Sequence, residues 1–493
     1  MLGRLLLILI SSVHVTYAIS MLLKQTSQRF VKKSCLRIGG EDKISALPDD
    51  LLVHILLLVS TEDAVRTMIL SKRWRFVWTM VPKLGYREIN DDTHKVITSG
   101  LFGRFLGPLF GKRDQQRSIW RFVDESLQLH KAPILELLAI ELGPRCPVNV
   151  DVEKWIVNAV DRRVRELGLV LNWSSEPTSL SKRLYTCDTL VKLYLSYKIV
   201  VDVPSPVCLP SLKSLSLQFV VYKDEDSLVR LLSNCPVLTH LGVDRHHHDN
   251  LTNFTIKVPS LEYLLYDYVE LGEVDNQVIG GSLVIDSPAL KRISFRDFSE
   301  DSCSLEDRPR LEKASINVYH DLDDKFMRSL SSVMYLELGL SVATVAWCNA
   351  INYSQLIECK LTLLHDFDWL ESLMMFLHKS PNLKVLFIDQ TFIPLEEDFS
   401  LTWNKPCLVP RCLLTHLEVF EWEIYRGRSE EKKALRYIFS KSRCLKRAGI
   451  SLESTCNPKD REMMVKEIES MFRVSKSSQL LFFTHLEYMT SEL

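Results

Sequence analysis

The pattern Leu-x-x-Leu-x-Leu, with Val, Ile, Cys or Ala in some apolar places, recurs along this chain from residue 135 onward. Its clearest units are residues 190–195, 212–217, 238–243, 290–295 and 383–388, and weaker ones start at Leu135, Val164, Leu261, Leu311, Val333, Leu356 and Leu414. Successive starts lie 21 to 31 residues apart, too close for ankyrin or tetratricopeptide arrays and suited to one short strand plus one return. Each strand turns its leucines into a shared core. No unit buries enough apolar surface alone, so the units must stack into a curved solenoid. The returns are helix-like or irregular: in residues 226–236, Leu228, Leu231 and Leu232 share a face and Pro236 ends the turn. The residue between the last two apolar places of each strand is expected on the concave side. That row is Tyr194, Ser216, Gly242, Leu265, Ser294, Ser315, Glu337, Lys360, Phe387 and Glu418. It is neither basic nor acidic, which suits a protein or small-ligand surface better than a polyanion groove.

Composition narrows the class further. With 46% hydrophobic and 25% charged residues over 493, the chain is too apolar to be mainly disordered. Its 61 basic and 62 acidic residues leave a net charge of -1, so no global field gathers phosphates and a dedicated nucleic-acid binder is disfavoured. The 12 cysteines are scattered and form no Cys-x-x-Cys pair. They are expected as reduced thiols, with Cys359 and Cys444 at core positions. Neither the isolated Cys407/Cys412 pair nor His246, His247 and His248 supplies a zinc ligand set.

Ahead of the repeats, residues 41–85 read as three short helices. Pro48, Asp49 and Asp50 mark a helix start, and Leu51, Leu52, Ile55, Leu56 and Val59 follow at helical spacing. Ser60 and Asp63 form a capping-box-like signal before Ala64, Val65, Met68 and Ile69. Trp74 and Trp78 then stand one helical turn apart among basic neighbours. Three short helices cannot hide this many large apolar side chains, so part of them must face a partner. The segments 47–52, 55–56 and 71–75 together with Trp78 resemble the F-box, the module that docks onto the Skp-type linker of cullin-RING ubiquitin ligases. The resemblance implies that Leu47, Pro48, Leu51, Leu52, Ile55, Leu70, Trp74 and Trp78 form or support the linker-binding surface.

Residues 209–217 and 232–241 resemble the repeats of plant F-box/LRR proteins. Residues 406–410, 417–422, 437–446 and 475–480 resemble the FBD domain that ends many of them. Physically, that end predicts a last strand, a helix over 429–442, a strand at 448–452, a helix capped by Asn457 and Pro458 and running to Phe472, and a strand at 480–483. Such a unit is expected to cover the solenoid's end. The expected fold is thus α/β: an N-terminal extension (1–40), an F-box (41–85), a linker (86–119), leucine-rich repeats (120–405) and an FBD-like α+β cap (406–493).

The extension carries six basic residues, no acidic ones and an apolar run from Leu5 to Ile10. Three readings stay open: a secretory signal ending near Ala18, a mitochondrial presequence, or an upstream extension with Met21 as the start. A stable membrane span is not expected, because polar residues break the apolar run. No HExxH, GxSxG or GxGxxG occurs, and Gly107-Pro-Leu-Phe-Gly-Lys-Arg113 fails as a phosphate loop on spacing and on Arg where Ser or Thr must stand. No cofactor, metal or catalytic residue is expected. The resemblance implies a non-enzymatic substrate receptor that holds an unidentified target protein near the ligase, in the cytoplasm or nucleus. The competing reading is a secreted or organellar leucine-rich-repeat binding protein, favoured by the apolar N-terminus and the sequons at Asn172, Asn250, Asn253 and Asn352.

Overall fold

The computed structural model describes residues 47–88, 118–147, 150–173, 176–246, 249–268, 281–299, 301–306, 310–320, 322–364, 367–391, 401–452 and 457–484. The N-terminal extension, most of the expected linker and the phosphate-loop look-alike lie outside these residues. The chain divides into two compact units, Met1–Lys223 and Asp224–Leu493.

The first unit opens with helices α1 (Asp49–Leu56), α2 (Thr61–Arg66) and α3 (Trp74–Val77), the last two each running into a single 3-10 turn. Pro48 caps α1: lacking an N–H, it leaves no donor unsatisfied, and its carbonyl accepts from Leu51 and Leu52 at 3.1 Å. Ser60 caps α2, its hydroxyl accepting from the Asp63 amide at 3.1 Å and donating to the Asp63 carboxylate at 3.0 Å. Arg73 ties the start to the end of the module, meeting the Asp49 carboxylate at 2.6 Å and the Leu47 carbonyl at 2.5 Å. The core is Leu52, Leu56, Ala64, Trp74, Val77, Trp78 and Val81.

The chain passes from this module straight into a strand. β1 (Lys83–Arg87) lies parallel to β2 (Leu137–Leu142), followed by β3 (Glu166–Leu171), β5 (Lys192–Tyr197) and β7 (Ser214–Gln218). The short strands β4 (Thr178–Ser179), β6 (Ile199–Val201) and β8 (Val221–Tyr222) pair beside them. The 85/86 boundary expected between module and linker therefore falls inside a strand, and the boundary at 119/120 falls at the start of helix α4 (Ile119–Leu129). Helix α5 (Val152–Asp161) supplies the return between β2 and β3.

The second unit begins with helix α6 (Glu225–Ser233), a return that buries Leu228, Leu231 and Leu232 as their spacing predicts. Its main sheet is a parallel ladder of β9 (His240–Arg245), β11 (Tyr263–Tyr268), β13 (Arg292–Asp297), β15 (Lys313–Val318), β16 (Tyr335–Leu340), β17 (Glu358–Leu363) and β18 (Val385–Asp389). It continues through β19 (Val419–Tyr425), β20 (Arg447–Leu452) and β21 (Gln479–Thr484). A second parallel ladder, β10 (Asn253–Lys257), β12 (Ser282–Asp286) and β14 (Ser302–Leu305), accompanies its first turns. Inward places hold Leu264 and Tyr266, Ile293 and Phe295, Leu336 and Leu338, or Cys359 and Leu361, all buried. Aromatic rings stack from turn to turn, with Tyr266 and Phe295 5.3 Å apart at 14°.

The C-terminal elements follow the expected order: helix Ser429–Lys441, strand β20, helix Pro458–Ser470 with the Asn457 side chain capping Lys459 at 2.8 Å, and β21. They extend the ladder by adding parallel strands to its end. The reason is visible in the spacing: Leu417, Phe420 and Trp422, then Leu445, Ala448 and Ile450, keep the same three-then-two cadence and are buried.

All ten described cysteines are free. Cys359 is buried as expected. Cys444 is exposed, contrary to expectation: it lies between the helix ending at Lys441 and β20, and its thiol meets the Thr415 carbonyl at 3.3 Å.

Candidate docking surfaces

The helical module sorts its apolar residues into two sets. Leu52, Trp74 and Trp78 are buried in its core, Leu47 and Ile55 are half-buried, and Pro48, Leu51 and Leu70 are exposed. Of the eight residues expected at the linker surface, the two tryptophans and Leu52 thus lie inside the module. The spacing of the tryptophans fits an inward stripe as well as an outward one: both pack into the module's own core, Trp78 also standing 6.2 Å from the His130 ring, while the Lys131 ammonium lies over the Phe76 ring at 5.3 Å. Sequence reasoning passed over Leu58, Phe76 and Met80 as exposed groups, and counted Ile69 only as part of the helical stripe. Leu51 is 49% exposed, Leu58 51%, Ile69 66% and Phe76 60%. Large apolar side chains left in water on so small a module mark a contact surface. The missed signal was Phe76 standing between Trp74 and Trp78, on the other side of the same helix.

The supported side of the module is joined to the first repeat by a buried polar junction. Lys131 and Ala132 amides donate to the Thr79 carbonyl at 2.8 and 2.9 Å. His130 Nε2 donates to the Val81 carbonyl at 2.7 Å, and Arg162 Nη1 donates to His130 Nδ1 at 2.6 Å. With Nδ1 facing a guanidinium the imidazole must be neutral. Burial pushes its pKa down to about 4, and Arg162 pushes the same way against the Val81 hydrogen bond. Nearby, Tyr86 and Ser126 hydroxyls meet at 2.8 Å, and the Gly85 amide donates to Thr61 at 2.8 Å.

The second surface is the sheet face that carries the outward row; in the first unit it holds a buried cluster of Leu137, Ala139 and Val170 packed against Tyr194 and Tyr197. The expected row holds in register. Tyr194 stands beside Ser216 in the first unit. In the second, Gly242, Leu265, Ser294, Ser315, Glu337, Lys360 and Phe387 stand side by side. Glu418 does not belong to it. The residue beside Phe387 is Glu421; Glu418 precedes β19 because Leu414 sits in the short helix Arg411–Thr415, so the motif frame starts at Leu417.

Beside that cluster the face carries polar side chains that pair across strands. Arg87 meets Glu141 at 2.6 Å, Lys192 meets Glu166 at 3.1 Å and Arg296 meets Asp267 at 3.2 Å. Lys360 meets Asp389 at 3.3 Å, Arg447 meets Glu421 at 2.5 Å, and Ser315 donates to Glu337 at 3.0 Å. The Tyr194 hydroxyl donates to Gln218. Among the described residues no group of His, Cys, Asp and Glu is arranged to hold a metal ion, and no helix is long and apolar enough to cross a membrane.

A short helical module with several exposed apolar side chains, followed by a parallel repeat ladder, fits an F-box protein with leucine-rich repeats, and comparison with known proteins agrees. Residues 44–84 match the F-box domain, residues 152–329 match the LRR repeats of the FBD-associated F-box protein At5g56370, and residues 405–450 match the FBD domain. The Arabidopsis thaliana F-box/FBD/LRR-repeat protein At1g22000 is 48% identical over 459 residues, covering 90% of this chain and 92% of that one. The F-box/FBD/LRR-repeat protein At5g56420 of the same plant is 36% identical, covering 90% of this chain and 100% of that one. The chain belongs to the plant F-box/FBD/LRR-repeat family.

Proposed function

We propose that this chain is the substrate receptor of a cullin-RING ubiquitin ligase, docking a Skp-type linker through its helical module and a target protein through the open sheet face. The observation that carries the first part is the exposure of Leu51, Leu58, Ile69, Leu70, Phe76 and Met80 on a module whose core is already filled. Leu47 and Ile55 pack half-buried against that core and, with the exposed Pro48, complete the docking surface. Leu52, Trp74 and Trp78 hold the helices that present it.

The target side follows from the row of Tyr194, Ser216, Leu265, Ser294, Glu337, Lys360 and Phe387, which mixes aromatic, apolar, hydroxyl and charged groups as protein-contacting surfaces do. The chain itself contributes position, not chemistry: an exposed target lysine held beside a ubiquitin-loaded partner reacts through raised local concentration. Action in the cytoplasm or nucleus follows from that partner, and this reading involves neither cofactor nor nucleic acid. The domain plan that goes with this reading is an F-box at 41–85, repeats over 120–405 and an FBD-type end at 406–493, with 86–119 between module and repeats.

Co-purification of the full chain with a Skp-type linker tests it. Phe76→Ser with Leu51→Ser should abolish the complex while leaving the thermal melting of the chain unchanged. Retention of the linker by that double variant, or recovery of the intact chain glycosylated from the medium, would instead favour the secreted repeat protein.

A further inference from the structure

Residues 129–134 run from the last residue of α4 towards β2, well outside the helical module in the chain, yet they are fastened to it. The Lys131 and Ala132 amides donate to the Thr79 carbonyl, the His130 ring donates to the Val81 carbonyl, and Arg162 donates to the His130 carbonyl from the other side. The backbone leaves α4 in an extended conformation at His130, and burial then alternates as it does along a strand. His130 and Ala132 are buried, whereas Lys131 and Pro133 are exposed. Leu129 before them is 53% exposed and Ile134 after them 51%.

Two observations make this segment a continuation of the module's docking surface. Contact is the first: the Lys131 ammonium over the Phe76 ring brings the outward side of the segment up to an exposed aromatic of the module. Charge is the second. Lys72 and Arg75, each within a turn of Phe76 in the chain, and Lys131 are all exposed, and among the described residues none of the three forms an ion pair. Asp49, by contrast, is paired with Arg73, and Glu62 and Asp63 with Arg66. Apolar side chains bordered by unanswered cations fit a partner that combines apolar groups with carboxylates.

We propose that the Skp-type linker is held across both elements, covering Phe76 and Leu129 with apolar side chains and setting a carboxylate against Lys131. The inference rests on the receptor reading above and deepens it: part of the linker's contact falls outside residues 44–84, which match the F-box, and the chemistry of the linker segment that makes it is named. The hydrogen bonds to Thr79, Val81 and Arg162 hold the segment in place before the partner arrives, so little ordering entropy is lost on binding. They use the backbone and the His130 ring, which leaves the side chains of Leu129 and Lys131 free for contact.

Surface plasmon resonance of a purified Skp-type linker on the full chain, at low and high salt, tests it, with the melting of each variant recorded alongside. Lys131→Glu should slow association about tenfold at low salt and flatten the salt dependence. Lys131→Met keeps an aliphatic chain over Phe76 and removes the charge alone, and should flatten the salt dependence as well. Leu129→Ser should speed dissociation about tenfold. None of the three should move the melting temperature. Reversing the linker's acidic residues to lysine one at a time should find one that restores association with Lys131→Glu. Unaltered kinetics in the Lys131 and Leu129 variants, or no reversal that rescues Lys131→Glu, would overturn the proposal. The double variant Phe76→Ser with Leu51→Ser runs beside them: if it keeps the linker the receptor reading falls, whereas if it loses the linker while the Lys131 and Leu129 variants bind normally, only this inference falls.

Discussion

The helical module and the open sheet face solve opposite problems with the same chain. The module fills its core with Leu52, Trp74 and Trp78 and still leaves Leu51, Ile69 and Phe76 in water. The sheet face leaves few large apolar groups uncovered and instead answers charge with charge from strand to strand, as in Arg87 with Glu141 and Lys360 with Asp389. An uncovered apolar face gains on association with any complementary partner and suits a constant subunit. A face of paired charges must exchange one set of partners for another, so it gains little unless geometry matches, which suits discrimination between targets.

Substitutions that empty the module's core have the largest expected effect. Trp78→Ala should cost about 3–5 kcal/mol of module stability, seen as early thermal unfolding and loss of linker binding together. If Trp78→Ala weakened linker binding without shifting the melt, the tryptophan would belong to the surface after all.

The junction between the two regions comes next, because it is sensitive to acid. His130 has a folded-state pKa of about 4, below its unfolded value near 6.5. Between these the unfolded chain binds a proton that the folded chain refuses, so stability is fully present above about 6.5 and falls as pH drops towards 4, by about 3 kcal/mol in all. His130→Gln retains a donor for Val81 and an acceptor for Arg162, and should lose this component of the pH dependence in melting curves taken from pH 7 to 4. An unchanged acid profile would remove His130 from the junction's account.

Trimming the exposed set acts on binding alone. Phe76→Ala should weaken the linker complex on the order of thirtyfold, about 2 kcal/mol, by calorimetry with no change in melting temperature. The smallest effect belongs to the paired face. Arg296→Ala, which removes an exposed partner of Asp267, should change stability by less than about 1 kcal/mol in denaturant titration. A larger loss there would mean the face is held by its ion pairs and not merely decorated by them.

Much of this was legible in the order of residues. A parallel ladder needs apolar side chains at every second place of each strand and a return after it, and that demand writes itself into Leu190, Leu193 and Leu195 or Val333, Leu336 and Leu338. The frame at β19 was misread because Leu414 and Leu417 are both apolar and only the helix Arg411–Thr415 shows which of them starts the strand. Periodicity could say that Trp74 and Trp78 share a helical face; it could not say that this face turns into the module's own core.

The amino-acid order thus determined which residues point inward along each repeat, where the helices begin and which family the chain joins, since these depend on neighbours a few places away. Tertiary structure alone decided that the tryptophans are internal while Phe76 is not, and that His130 meets Arg162 at the junction. It also brought Lys360 to Asp389 and Arg447 to Glu421. Burial and charge pairing are set by segments that approach across the fold, and no local spacing records which segment arrives.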